Sequence, residues 1–230
     1  MNNPFTALVS VFPDATHTEA EERIELGEML FRILNGTYDE IVSTVRASLA
    51  DAPVYREQKK RLPAFTPAGL FHRRANVALD IPTNVVHMDY DGITDQAVLQ
   101  ATIEALRHDP YILYAFRSPS WQGIKVGIWT SGFTDDATYK YAWSIAAQYL
   151  RDGFPGLALA EDTACKDVAR LCFVSADPQT YTAAYPLPLL IPPYVEPAYS
   201  PPPVPPLESW DSLEVGRMLA CIDGADDRER

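Results

Sequence analysis

The chain has 230 residues, of which 47% are hydrophobic and 22% are charged, and this composition predicts a packed core rather than a disordered chain. Its 31 acidic and 19 basic residues give a net charge of −12, which argues against a protein that coats nucleic acid without selectivity. The apolar runs are too short to span a membrane, residues 1–16 lack the basic segment of a secretory signal, and the three cysteines show no CxxC spacing. We therefore expect a cytoplasmic protein with no membrane partner.

Helical and strand patterns alternate over the first 185 residues. Apolar residues at helical spacing predict a helix over residues 19–35. A capping box of Thr37 and Glu40 predicts a second helix over residues 37–50. The predicted elements that follow are strand 84–89, helix 94–107, strands 111–117 and 124–130, helix 136–150 and strand 169–175. The order strand, helix, strand, strand, helix, strand predicts an α+β fold with a split βαβ sheet of the ferredoxin or RRM type.

Proline composition divides the chain. Half of the 20 prolines lie in residues 186–206, where they exclude a helix or a central strand. We predict an extended strap or linker over residues 186–207, with a ligand for an SH3-type domain as the alternative. The other predicted parts are an N-terminal helical region packed on the core (1–53), a main domain that carries the candidate site (54–185) and an acidic helix or tail (208–230).

Two acidic residues end the first strand of the main domain, in VVHMDYDG at residues 85–92. Asp89 and Asp91 are two positions apart, so both carboxylates project from one face of the strand, with Cα atoms about 7 Å apart. Two adjacent anions repel each other unless a cation lies between them, and Mg²⁺ or Mn²⁺ meets that requirement. An ordinary strand end running into a turn is the alternative. His87 shares this face, and we expect a satisfied or partly buried histidine, with a role in the site as the alternative.

A turn between the next two strands reads SPSWQGIK at residues 118–125. Its two hydroxyls, glycine and cation could cradle a phosphate, and they belong to Ser118, Ser120, Gly123 and Lys125. A plain β-turn is the alternative.

A charged segment, EDTACKDVAR at residues 161–170, precedes the last predicted strand. A third acid could join the metal here, while Lys166 and Arg170 reach phosphate oxygens. The alternative is a solvated charged turn. The cysteines have no histidine base nearby in sequence, so thiol catalysis is not predicted.

Basic residues are concentrated in residues 54–74, which hold six bases and one acid in a chain of net charge −12. This concentration suggests contact with a polyanion, either a template strand or nucleotide phosphates, and a solvated helix face is the alternative. The six bases are Arg56, Lys59, Lys60, Arg61, Arg73 and Arg74.

These motifs in this order resemble the catalytic module of the archaeo-eukaryotic primase superfamily. The closest resemblance is to the primase-polymerase domains of bacterial mobile elements and phages that are called VirE-like N-terminal domains. It rests on KKRLPAFTPAGLF (59–71), MDYDG (88–92), SPSWQGIKV (118–126) and CKDVARLCFVSADP (165–178). The resemblance implies a DNA primase or polymerase with an RRM-like catalytic core and a second αβ subdomain that includes residues 54–80.

The resemblance also implies roles for the candidate residues. Asp89, Asp91 and Asp162 would hold two Mg²⁺ or Mn²⁺ ions, with Asp167 as the competing third acid. The basic segment would lie along the template. Lys125 stands where the family usually has histidine. The nucleotide-binding residues would be Ser118, Ser120, Gly123, Lys125, Lys166 and Arg170.

The implied partners are a DNA template and primer, nucleoside triphosphates and a helicase module or protein. Two other functions stay open. One is a module that binds nucleotide or single-stranded DNA without catalysis, which the lysine at position 125 favours. The other is an unrelated metal-dependent nuclease or phosphodiesterase built on Asp89 and Asp91.

Overall fold

The structure is a computed structural model that describes residues 3–196 of the chain. The acidic helix or tail predicted over residues 208–230 and the second half of the predicted strap lie outside the described residues. Met1–Tyr194 belong to one structural unit and Val195–Arg230 to another.

Five α-helices and ten β-strands are present in the described residues. The first elements are β1 (Leu8–Phe12), β2 (Glu22–Glu25), α1 (Leu26–Leu34), α2 (Asp39–Ala47), α3 (Ala52–Lys60), β3 (Ala64–Phe65), β4 (Gly69–Phe71) and β5 (Leu79–Pro82). They are followed by β6 (Val85–Asp91), α4 (Gln96–Leu106), β7 (Ile112–Arg117), β8 (Gly123–Trp129), α5 (Asp136–Gly153), β9 (Cys172–Phe173) and β10 (Tyr181–Thr182). This content confirms the predicted α+β class.

The strands form two four-stranded sheets and a separate β4–β5 ladder, and every pairing is antiparallel. The first sheet has the order β2-β1-β3-β9, and the second sheet has the order β10-β7-β8-β6. Side chains of β1, β3, β6 and β7 share one apolar cluster, so one face of the second sheet packs on the first sheet.

The opposite face of the second sheet is covered by α4 and α5. Each helix begins at an aspartate: Asp95 accepts a hydrogen bond from the Ala97 amide at 2.8 Å, and Asp135 forms a capping box with Thr138. Buried residues of both helices share a cluster with Val86 and Met88. Because strand side chains alternate, the odd-numbered residues of β6 therefore face the first sheet.

The sequence prediction differs from the structure at both ends of the main domain. The sequence predicts a helical region over residues 1–53, but these residues also form β1 and β2. The helix predicted over residues 19–35 divides into β2 and α1. β1 pairs with β3, so the N-terminal region and the main domain share one sheet.

The predicted strand over residues 169–175 is only the two-residue β9, and it pairs with β3 of the first sheet. The free edge of β6 is instead occupied by a bridge between Tyr90 and Glu161. Apolar character indicated that a strand forms here, but it carries no information on which sheet accepts it.

The described part of the proline-rich segment contains no helix, and one of its residues bridges to the second sheet. Leu189 forms a parallel bridge with Thr130, and its amide donates to the Trp129 carbonyl at 2.8 Å. Leu189 and Ile191 are partly buried, and they pack against the apolar cluster that includes residues of α4 and α5. No helix in residues 3–196 has the length and apolar character required to cross a bilayer.

Gly127 lets one aromatic ring lie flat across the second sheet. Gly127 pairs with His87 of β6 and with Tyr114 of β7. A Cβ at position 127 would lie 2.1 Å from the Tyr114 ring. We predict that Gly127→Ala lowers the free energy of unfolding by about 1–3 kcal/mol, because overpacking forces the buried ring to move. Urea denaturation measures this loss.

Gly153→Ala is the matched control, because a Cβ at the end of α5 meets open space. This substitution should leave stability unchanged or raise it by up to about 1 kcal/mol. Equal losses in the two variants would contradict the role given to the Tyr114 ring.

Candidate active site

The site begins with the alternation of β6, which places His87, Asp89 and Asp91 on the face directed toward the first sheet. Burial falls along this row: His87 is 2% exposed, Asp89 is intermediate and Asp91 is exposed. The row therefore runs from the interior to the surface at the open end of the strand.

A cavity of about 520 Å³, here called the site cavity, brings together acids and bases from distant parts of the chain. Its acidic residues include all three predicted metal ligands and also the competing third acid. Its lining residues are Ala15, Lys59, Arg74, Ala75, Asn76, Asp89, Asp91, Asp162, Asp167, Ala169, Arg170, Leu171 and Phe173.

Asp89 forms a salt bridge with Lys125, its cross-strand neighbour on β8. The Lys125 Nζ donates to Asp89 Oδ2, and the Lys125 side chain is 2% exposed. Asp89 Oδ1 is also buried, and no hydrogen-bond partner for it exists among the described residues.

Burial and charge act in opposite directions on this pair. Burial favours a raised pKa for Asp89 and a lowered pKa for Lys125. The attraction between the two charges outweighs burial, so the pKa of Asp89 is lowered and the pKa of Lys125 is raised. The pair is therefore ionised at neutral pH, and Lys125 lies beneath Asp89 rather than among the cavity-lining side chains.

Asp91 lies at the mouth of the site cavity. Loss of hydration, followed by the negative charges of Asp89 and Asp162, raises its pKa, although Lys125 and Lys59 oppose the shift. This mutual repulsion of carboxylates is what a divalent cation would relieve.

Asp162 reaches the site because its segment runs along the free edge of β6. The Asp162 amide donates to the Asp89 carbonyl at 2.8 Å, and Arg170 Nη2 donates to Asp162 Oδ2 at 3.1 Å. Asp167 also lines the cavity, but one of its carboxylate oxygens lies 3.6 Å from Lys140 Nζ.

The predicted basic segment separates into two groups. Lys59 of α3 and Arg74 line the site cavity, and Arg74 is held there by a 2.9 Å hydrogen bond to the Ala15 carbonyl. Lys60 pairs with Glu57 at 2.8 Å on the surface. The remaining bases of the segment are exposed and are not among the described lining residues; they are Arg56, Arg61 and Arg73.

The turn at residues 118–125, here called the serine turn, lies beside the cavity mouth and is not among the described lining residues. The Ser118 amide donates to the Gly123 carbonyl at 2.8 Å, and the hydroxyls of Ser118 and Ser120 are 3.0 Å apart. A Cβ on Gly123 would lie 2.4 Å from the Tyr90 carbonyl oxygen and 2.8 Å from Asp91 Oδ1, so only glycine allows the turn to pack this closely. Lys166 is exposed and outside the described lining.

The prediction of a satisfied His87 is wrong at one ring nitrogen, and Cys165, which the sequence did not place in the site, lies nearby. His87 Nδ1 lies 3.0 Å from the Tyr114 hydroxyl, while the described residues offer no hydrogen-bond partner to its Nε2. Burial, and then the charge of Lys125, lower the pKa of His87 to about 3, so the ring is neutral. Donor atoms of His87, Asp89 and Cys165 lie within 4.8 Å of one another. The shared face of β6 indicated His87, but no spacing signal pointed to Cys165.

Lys125→Met tests the buried salt bridge. We predict a loss of about 3–5 kcal/mol in unfolding free energy at pH 7, because Asp89 stays buried without its counter-charge. In the wild type, the lowered pKa of Asp89 gives stability that is lost as pH falls below the usual aspartate range. In the variant an unpaired, buried Asp89 has a raised pKa, so its penalty shrinks as pH falls. The difference between the two proteins should therefore be largest near neutral pH and narrow toward pH ~4.

Chemical denaturation at several pH values measures that difference, with Lys140→Met as the control. Lys140 forms an exposed pair with Asp136, so its removal should cost no more than about 0.5 kcal/mol. A pH-independent loss in Lys125→Met would contradict the charge pairing, whereas partial recovery in Asp89→Asn/Lys125→Met would support it.

Comparison with known proteins identifies the family. The sequence model described as BT4734-like, N-terminal domain matches residues 57–181, which include every side chain of the site cavity except Ala15. No curated protein and no solved structure matches the chain. The match spans 125 of the 230 residues, and the chain therefore belongs to the BT4734-like N-terminal domain family.

Proposed function

We propose that the chain is a metal-dependent nucleotidyltransferase, a DNA primase or polymerase of a mobile element or phage. The observation that carries the proposal is the site cavity, in which four acids from two separate segments meet three bases, and three of those acids are the proposed metal ligands. Asp89, Asp91 and Asp162 supply the carboxylates. Lys59, Arg74 and Arg170 supply the positive charge that a triphosphate or template backbone requires.

The fold supports the same proposal at the level of the second sheet. β6, α4, β7, β8 and α5 follow one another as in an RRM-like split βαβ unit, with β8 between β6 and β7. The fourth strand, β10, lies beside β7, whereas in an RRM-like sheet it would lie beside the strand corresponding to β6. In this proposal the first sheet would be the second αβ subdomain.

The acidic residues fit Mg²⁺ or Mn²⁺. They are oxygen donors, which these hard cations prefer, and the buried Asp89 Oδ1 has no described partner. When bound, such ions would activate a primer 3′-hydroxyl as a nucleophile and neutralise the leaving pyrophosphate.

The chain's own residues then have distinct tasks. Asp89, Asp91 and Asp162 hold the ions, and Asp162 is preferred over Asp167 because its amide bonds directly to the Asp89 carbonyl. Arg170 would contact the triphosphate. We assign Lys125 to holding Asp89 in position, in place of the nucleotide contact expected from the sequence, since its ammonium is buried against that carboxylate.

Lys59 and Arg74, which also line the site cavity, would contact nucleotide or template. The exposed bases of the 54–74 segment extend this positive surface outward. The serine turn flanks Asp91, where its hydroxyls can reach a nucleotide at the cavity mouth. A helicase module or protein as partner and a cytoplasmic location complete the proposal.

The Lys125–Asp89 pair also favours a second candidate, a module that binds nucleotide or single-stranded DNA without catalysis. Lys125 already neutralises one of the carboxylates that would hold an ion. This module would bind DNA or nucleotide with little dependence on Asp91.

Primer extension tests the proposed activity. With a primed DNA template, deoxynucleoside triphosphates and Mn²⁺ or Mg²⁺, the wild type should extend the primer. Asp91→Asn should lower the rate on the order of 100-fold or more, because metal-ion charge stabilisation contributes several kcal/mol. Asp162→Asn should be similarly impaired, and Asp167→Asn much less so. Asp152→Asn removes an exposed charge of α5 outside the cavity lining and should extend normally.

An unprimed template distinguishes priming from extension. Absence of synthesis by the wild type, together with nucleotide or DNA binding that survives Asp91→Asn, would reject the enzyme and support the binding module. DNA cleavage without nucleoside triphosphates would instead indicate a nuclease.

A further inference from the structure

We propose that His87, Asp89 and Cys165 form a binding site for a borderline-soft divalent cation of the Zn²⁺ class, distinct in donor chemistry from the Mg²⁺ site proposed above. The three residues come from β6 and from the short helix Thr163–Lys166 that follows the β6 edge. The two sites share Asp89, so that carboxylate serves one cation or the other. The Zn²⁺ assignment does not rest on nucleotidyl transfer, since it needs neither Asp91 nor Asp162.

Three donor atoms of different kinds lie close together. An imidazole nitrogen, a carboxylate oxygen and a thiol sulfur lie within 4.8 Å of one another. With Zn–N near 2.0 Å and Zn–S near 2.3 Å, donors around one tetrahedral ion are roughly 3.3–3.8 Å apart. Side-chain shifts on the order of 1 Å would therefore close the cluster on an ion.

Two of these residues carry a buried donor atom that has no hydrogen-bond partner among the described residues. His87 is 2% exposed, and neither its Nε2 nor Asp89 Oδ1 has a hydrogen-bond partner in the described part of the chain. Buried polar atoms of folded proteins are almost always satisfied, and an ion bound beside Cys165 would supply the bonds that these two atoms lack. Asp89 Oδ2 is occupied by Lys125, which leaves Oδ1 as the oxygen available to an ion.

The Tyr114 hydroxyl fixes the His87 ring through Nδ1. Tyr114 can accept a hydrogen bond from His87 Nδ1–H at 3.0 Å, which leaves the Nε2 lone pair directed away from that contact. Burial raises the pKa of Tyr114 well above its usual value, so its hydroxyl stays neutral. An outer partner that fixes the ring of a metal-bound histidine is a general feature of metal sites.

The donor set selects the cation. Mg²⁺ and Ca²⁺ prefer oxygen ligands alone, whereas thiolate with imidazole suits Zn²⁺ and similar ions such as Co²⁺. Three protein ligands would leave a fourth position for water. Binding forms the metal–sulfur bond and releases the thiol proton of Cys165 to solvent, so affinity should increase with pH.

Equilibrium dialysis of the full chain against Zn²⁺, with metal measured per protein, tests the site. The wild type should hold one equivalent, and its Co²⁺ form should show a sulfur-to-cobalt charge-transfer band in the near ultraviolet. Cys165→Ser should remove the band and weaken Zn²⁺ binding at least ~10–100-fold. His87→Ala should weaken Zn²⁺ binding by a similar factor. Cys172→Ser is the matched control, because Cys172 is equally buried but lies outside the cluster, and it should keep both.

A wild type that holds no Zn²⁺ would overturn the proposal. So would a Cys165→Ser variant that binds Zn²⁺ and gives the cobalt band as the wild type does. Tyr114→Phe keeps all three ligands if the ligand variants do not fold, and it should weaken Zn²⁺ binding roughly 10–100-fold. Unchanged affinity in Tyr114→Phe would also count against the site. Asp91→Asn should bind Zn²⁺ normally, which separates failure of this site from failure of the proposed nucleotidyl transfer.

Discussion

The salt bridge between Asp89 and Lys125 is the constraint around which the molecule is arranged. Removing two charges from water costs several kcal/mol per ion, and only close pairing offsets that cost. The pairing requires β6 and β8 to be neighbours in one register, which places Asp89 directly opposite Lys125. It also requires the first sheet to cover the pair, and the apolar cluster shared by the two sheets provides that cover.

The same arrangement explains why the site cavity lies at the end of β6. The β6 row passes from the buried His87 to the exposed Asp91, so the strand leads from the apolar cluster to the surface. Lys59 and Arg74 approach from the N-terminal half, while Asp162 and Arg170 approach along the free edge of β6. The cavity therefore forms only when both sheets and the 161–170 segment are folded together.

Alternation along β6 was sufficient to predict that Asp89 and Asp91 share a face, because strand geometry alone determines it. Helices α4 and α5 were predictable from their apolar periodicity. The pairing of the strands was not predictable, because β1 and β9 carry apolar residues that would suit either sheet. A lysine in sequence likewise indicates a solvent-facing cation, and only the cross-strand register reveals that Lys125 is buried beneath Asp89.

Other features of the site depend on contacts that no local pattern encodes. The six bases of residues 54–74 read as one patch, yet α3 turns Lys59 inward and leaves Lys60 paired with Glu57 at the surface. Cys165 reaches His87 because the Glu161 bridge draws its segment along β6. Such tertiary contacts decide which of several plausible residues meet.

The most direct test of the account is the position of a bound cation. Crystals grown with Mn²⁺ and a non-hydrolysable nucleoside triphosphate would give an anomalous-scattering map. The account predicts manganese peaks about 2.1 Å from carboxylate oxygens of Asp89, Asp91 and Asp162, with the triphosphate against Arg170. Nucleotide bound elsewhere, or manganese absent from these three carboxylates, would contradict it.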